Sequence, residues 1–399
     1  MKKIFPILLI IILFNIFAVP FDNVAYASDN EDSAQTEENL DKTVNDTLND
    51  IDLSGYDELL AFLNQYSDVS IAVSIRKLID DVLYNRVEFD FRYFMKFSTE
   101  ILIGDMLNIL PQLLIIVVIA LLFSILQNLN SGFAKADTQK IVYMACFGLI
   151  LTVVTVMVTG TITNAVRFFS FMEKFNDVCF PVLVTLIAAL GGSATAAVYQ
   201  PLVLVFGSIL MKLISFVIMP LFYITFVFGL VGNLSDNIKL DKFSKTVKSA
   251  ANWIMGISFS LFITFMTAQG ITGVSFDSLA AKGAKFALSS YVPIVGSYLK
   301  DGFDIVLAGC VVVKNAIGLC SIIILLFMVL VPVIKILVIS FGIKLTASVI
   351  EPISDAKYSS ALFVVADSMK ILITAVLCTA FSALIMLMMI IITFNFGAI

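Results

Sequence analysis

Six stretches of this sequence, near 109–130, 141–163, 203–232, 251–272, 318–349 and 369–396, are apolar runs interrupted by very few charges. A helix rises about 1.5 Å per residue, so roughly 20 apolar residues span the ~30 Å hydrocarbon core of a bilayer. Inside that core no water satisfies backbone N–H and C=O groups, so each run must close its own hydrogen bonds as a helix. The expected fold class is therefore all-α: a polytopic helical membrane protein. Composition agrees, with 60 % hydrophobic residues and a mean hydropathy of +1.01, against roughly 45–50 % apolar residues in ordinary globular domains. Two weaker apolar segments, 179–200 and 286–313, are readable as spans, re-entrant hairpins or interfacial helices; counting them gives about 6–8 spans. The stretch 318–349 is longer than one tilted crossing needs and contains Pro332 and Lys335, so two broken halves are expected.

The N-terminus reads as an export signal. Lys2 and Lys3 precede an apolar stretch from Ile4 to Val19, and Ala25-Tyr26-Ala27 supplies small residues at the cleavage positions. An uncleaved first span is the alternative. The segment that follows is expected outside the cytoplasm if the signal is cleaved, or if an uncleaved span inserts with its C-terminal end outside. Residues 28–100 carry 17 acidic and 6 basic side chains, a net of −11, whereas 101–399 carry 12 and 17, a net of +5. Residues 28–50 are acidic, polar and poor in aromatics, which predicts disorder. Helices are expected beyond. Ser54 can cap one, with Asp57 three residues on, ahead of Leu59, Leu60 and Leu63. Ile71, Ile75, Leu78, Ile79 and Val82 form one face of another. The expected division is a signal peptide at 1–27, a disordered acidic segment at 28–50, an extracytoplasmic helical arm at 51–105 and a multi-span membrane domain at 106–399. Two roles stay open for the arm: binding a partner, or packing on the chain's own membrane domain.

The sequence lacks histidine altogether. Ser-His-Asp and Cys-His nucleophile pairs and a histidine proton relay are thereby excluded. Cys146, Cys179, Cys310, Cys320 and Cys378 are scattered, without the spacing of a metal set. No phosphate-binding glycine motif opens a helix after a strand. No catalytic residue, cofactor or metal is expected, and any energy input must come from another subunit, a gradient, or nothing.

Polar residues inside apolar sequence are the remaining signals. Lys239, Lys242, Lys245 and Lys248 recur every three residues in the link 233–250. They read as a cytoplasmic basic ribbon of the positive-inside kind, or as a site for an acidic partner or anionic lipid. If this link and 131–140 are both cytoplasmic, 179–200 does not cross; the competing arrangement lets it cross and inverts successive units. Gly191, Gly192, Ser193 and Ala194 open a small-residue run suited to close helix packing. Lys314, Asn315 and Gly318 fall between two apolar runs, and Lys335 follows Pro332 by three. A lysine at the bilayer centre costs at least ~2.5–3.5 kcal/mol, so these four residues are candidates for a pore lining or a subunit contact. Asp367 and Lys370, at i and i+3, can neutralise each other. Pro181 and Pro220 are 39 apart, as are Pro293 and Pro332, and Pro111 precedes Pro220 by 109, a pattern of degenerate internal repeats of about 110 residues.

The order of these features resembles the stage III sporulation protein AE family of endospore-forming bacteria. Gly191 to Pro201 looks like that family's small-residue stretch ending in proline, and Tyr291-Val292-Pro293-Ile294-Val295-Gly296 like its P-x-V-G segment. Val313 to Leu319 is similar to its V-K-N-x-x-G-L motif, and Pro332 to Leu337 to its P-x-I-K-I-L segment. The resemblance covers roughly 100–396 and brings no catalytic residues with it. It implies a multi-pass protein of the mother-cell membrane around the forespore, a subunit of a secretion-like channel complex required for sporulation. The implied partners are the bilayer and the other subunits encoded by the stage III sporulation A operon, including a separate ATPase; nucleic acid is not among them. Two other readings are a self-contained secondary transporter and a scaffold anchoring ring-forming partners.

Overall fold

The computed structural model describes residues 33–66, 75–83, 91–130, 136–190, 196–197, 205, 207–232, 240–291 and 295–392. The signal region 1–27, the small residues Gly191 to Ala194, and Lys239 lie outside these residues. Every regular element among the described residues is a helix: α1 (Ser33–Asp50), α2 (Ser54–Tyr66), α3 (Ile75–Leu83), α4 (Phe91–Asn130), α5 (Ala136–Ala189), α6 (Gly207–Val231), α7 (Asp241–Tyr291), α8 (Val295–Ile350) and α9 (Ala356–Ile392). Six of them, α4 to α9, are long and apolar enough to cross a membrane.

These six form three successive hairpins, α4–α5, α6–α7 and α8–α9. Each carries a proline in its first helix: Pro111, Pro220 and Pro332. α4 and α8 run parallel, because Phe97 meets Phe327 edge-on at 5.1 Å and a Cβ at Gly342 would touch Leu113 and Ile109. Tyr358, at the start of α9, meets Phe123, Tyr143 and Phe147 with ring centroids 5.0–5.7 Å apart. Gly229, at the end of α6, lies against Val364 of α9. The start of α5 and the end of α6 therefore share one end of α9, and two helices separate the two basic links. The segment 179–200 is no separate span: as far as Ala189 it is the last part of α5. The segment 286–313 likewise divides between the end of α7 and the start of α8.

Three expectations about continuity are corrected. α8 runs unbroken through Lys314 and Pro332, where a break and two half-helices were expected. A proline removes one N–H and crowds the carbonyl four residues back, but neighbouring helices tolerate that in a packed span, and Pro332 is buried. The expected arm boundary at 105/106 falls inside α4, where the adjacent breaker is Gly104 and a lone glycine costs about 1 kcal/mol. Residues 33–50, expected to be disordered, form α1. Leu40, Val44 and Leu48 recur every four residues, and Val44 and Leu48 are buried. That narrow apolar stripe, laid on α8, stabilises a helix whose overall composition is acidic.

The arm packs on the membrane domain. A Cβ at Gly309 of α8 would lie 2.8 Å from Thr43 of α1, and one at Gly55 of α2 would lie 2.9 Å from Val178 of α5. Ser54 is the first residue of α2, yet the cap comes from Asp52, whose carboxylate accepts the Ser54 N–H at 3.0 Å. Asp57, expected in that capping box, instead accepts the Ile75 N–H and caps α3.

At about 1.5 Å per residue, α5 and α8 are roughly 80 Å long, more than twice the hydrocarbon thickness. The exposed face of α5 reports where it leaves the bilayer. It shows Ile141, Met144, Leu149 and Val156 first, then Arg167, Ser170, Glu173, Lys174 and Asp177. The aliphatic part matches the expected span 141–163. The first half of α8 packs among α1, α3, α5 and α9, and its lipid-facing stripe begins at Leu337 and continues through Phe341, Leu345 and Val349. The chain thus builds a helical lobe on the arm side of its membrane layer.

Candidate functional site

α4, α5 and α8 line an open pocket of about 210 Å³. Asp105, Asn108 and Gln112 reach it from α4, Thr161 and Asn164 from α5, and Lys335 from α8. The helical period accounts for the grouping. Positions i, i+3 and i+7 of α4 lie on one face, as do i and i+3 of α5, so isolated polar residues in two apolar runs line up across from each other. Gly160, also in the lining, leaves the α5 wall without a side chain. The Thr161 hydroxyl donates to its own helix at Met157 O, 3.0 Å away. The cavity thus holds one acid, one base and three amides, next to the level where the exposed face of α5 turns from aliphatic to charged. Charged and amide side chains at membrane depth face a cavity or a path rather than lipid. Of the candidates read from the sequence, only Lys335 lies here. Asp105, Asn108, Gln112, Thr161 and Asn164 were missed, although the i, i+3, i+7 spacing on α4 was legible in the sequence.

Lys314, Asn315 and Gly318 lie elsewhere, farther toward the start of α8. Lys314 is fully buried and its ammonium donates to Ile391 O at 3.1 Å. The last carbonyls of a helix have no partner within it, and a cation there also meets the negative end of the helix dipole. One turn on, a Cβ at Gly318 would sit 2.5 Å from Ile391 Cγ1. Lys314 and Gly318, expected as a pore lining or a subunit contact, thus seat the end of α9 within the chain itself. Gly318→Ala is expected to destabilise the protein by about 1–3 kcal/mol through overpacking, seen as a lower unfolding midpoint in detergent. An unchanged midpoint would mean that α9 does not end against Gly318.

The basic ribbon divides. Lys242 and Lys245 are exposed, as a surface signal requires. Lys248 turns inward to bind the Asp367 carboxylate and donates to Asp367 O at 2.7 Å. Asp367 also pairs with Lys370, as their spacing suggested.

The sequence profile described as Stage III sporulation protein AE matches residues 73–394, which takes in α3 to α9 and both the polar cavity and the Lys314 seat. Among curated proteins, the Stage III sporulation protein AE of Bacillus subtilis (strain 168) is 24 % identical over 244 residues, and the match spans 61 % of this chain and 61 % of that relative's length. No solved structure matches. With the profile covering most of the chain and all six candidate spans, this protein belongs to the stage III sporulation protein AE family.

Proposed function

We propose that this chain is a non-enzymatic, multi-pass subunit of a secretion-like channel complex joining mother cell and forespore. It works with the other subunits of the stage III sporulation A operon, a separate ATPase among them. In this reading it sits in the mother-cell membrane around the forespore, with the arm and the arm-side lobe outside the cytoplasm. Family membership supports the sporulation role. The observation that supports the channel role is the cavity lined by Asp105 and Lys335 with three amides, where three candidate spans meet. Such a polar wall is what a subunit contributes to a path completed by its partners.

Two measurements test this. Asp105→Asn and Lys335→Gln, each in an endospore-forming host lacking its own copy, should leave the protein level unchanged and strongly reduce heat-resistant spores. In cells, an Asn108→Cys variant should react with a membrane-impermeant thiol reagent above the parent background, which is low because the five native cysteines are buried or half-buried. Normal sporulation in both charge variants, with no labelling at position 108, would remove the cavity from the mechanism.

A further inference from the structure

A second polar site lies where α7, α8 and α9 meet, away from the cavity. We propose that Lys248, Lys344 and Lys370, arranged around Asp367, seat the phosphate headgroup of an anionic phospholipid. The argument begins with charge. Asp367 accepts from both Lys248 and Lys370, so one carboxylate serves two ammonium groups. Lys344 stands on α8 one turn beyond Ser340, whose hydroxyl donates to Ala366 O at 3.0 Å beside Asp367, so it adds a third cation to the group. Three cations against one anion leave two positive charges over, contributed by three different helices.

The depth fits a headgroup. Lys248 is two turns from the start of α7, Lys344 two turns from the end of α8 and Asp367 three turns from the start of α9. At about 1.5 Å per residue the group sits roughly 10–16 Å from that end of the bundle, where acyl chains give way to headgroups. Access fits as well. Lys370 is 55 % exposed, whereas Lys248 is 17 % exposed and holds Asp367 in place from behind. Beside Lys344 on α8, Phe341 and Leu345 are exposed and apolar. A ligand reaching the surplus charge therefore lies along an apolar wall, which an amphiphile matches and a free ion does not. Basic pockets between spans are a recognised way to hold such headgroups.

Trp253, the one tryptophan of the chain, is exposed on α7 five residues beyond Lys248 and is a native reporter. The purified full chain would be placed in phosphatidylcholine vesicles containing chain-brominated phosphatidylglycerol or chain-brominated phosphatidylcholine at equal mole fraction. Brominated phosphatidylglycerol should quench Trp253 more strongly, with a preference of roughly five-fold per lysine engaged. Lys344→Gln alone disturbs no ion pair among the described residues and should weaken the preference. Lys344→Gln with Lys370→Gln should abolish it, and Lys344→Arg should keep it. Equal quenching by the two lipids in the parent protein, or a preference that survives the double glutamine variant, overturns the proposal. A preference that excess inorganic phosphate removes also overturns it, by assigning the site to a soluble anion.

Discussion

Lys314→Ala should be among the most destabilising single substitutions in this protein, by about 3–8 kcal/mol. Two losses add. The Ile391 carbonyl is left without its donor at the end of α9, a buried unsatisfied group costing about 1–3 kcal/mol. The vacated side-chain stem also leaves a cavity in a fully buried place, which typically costs another 2–5 kcal/mol or so. Lys314→Met fills most of the space and loses the hydrogen bond to Ile391, so its cost should be nearer about 1–3 kcal/mol. The check is the unfolding midpoint in detergent together with the protein level in cells. The alanine variant should be depleted and the methionine variant largely retained. If Lys314→Ala kept its parent stability and level yet abolished sporulation, Lys314 would be a functional lysine and the α9 seat would be wrong.

Tyr56→Ala should release the arm. Tyr56 of α2 is fully buried, and burial pushes its phenol well above the ordinary range, so it remains a neutral donor. The Ser321 hydroxyl already donates to Ile317 O at 2.8 Å, so at the 2.9 Å Tyr56–Ser321 contact the tyrosine is the donor. This bond ties the arm to the enclosed half of α8. Truncation to alanine is expected to cost about 3–5 kcal/mol, as for other large buried aromatics, whereas Tyr56→Phe keeps the packing and should cost about 0.5–1.5 kcal/mol. Limited trypsin digestion of protein in detergent would show it. Cleavage at Lys42 and Arg76, slow in the parent and in Tyr56→Phe, should become rapid in Tyr56→Ala. Unchanged protease resistance in Tyr56→Ala would mean that the arm does not depend on this anchor.

The helix class, the six spans, the cavity lysine and the Asp367–Lys370 pair were legible because each is a local property. A span shows in the hydropathy of its own 20 or so residues, and an i, i+3 pair in its own spacing. The same locality explains the errors. Val44 and Leu48 are too few to predict a helix in an acidic segment, and only the surface of α8 makes α1 fold. Lys314 in apolar sequence reads as a polar lining, because the carbonyl it satisfies belongs to a residue 77 positions away. Lys248 reads as one of four equivalent lysines until α9 brings Asp367 against it, 119 positions on. Asp105, Asn164 and Lys335 acquire a common meaning only where α4, α5 and α8 meet.

By itself, then, the sequence determined that this chain crosses the membrane as helices and which segments do so, because the bilayer imposes that on any run of sufficient length and apolarity. Which polar groups face a cavity, which end a helix and which neutralise one another was decided only by the tertiary structure. A buried charge is stabilised by a specific partner in space, and that partner's position along the chain is not encoded near the charge itself.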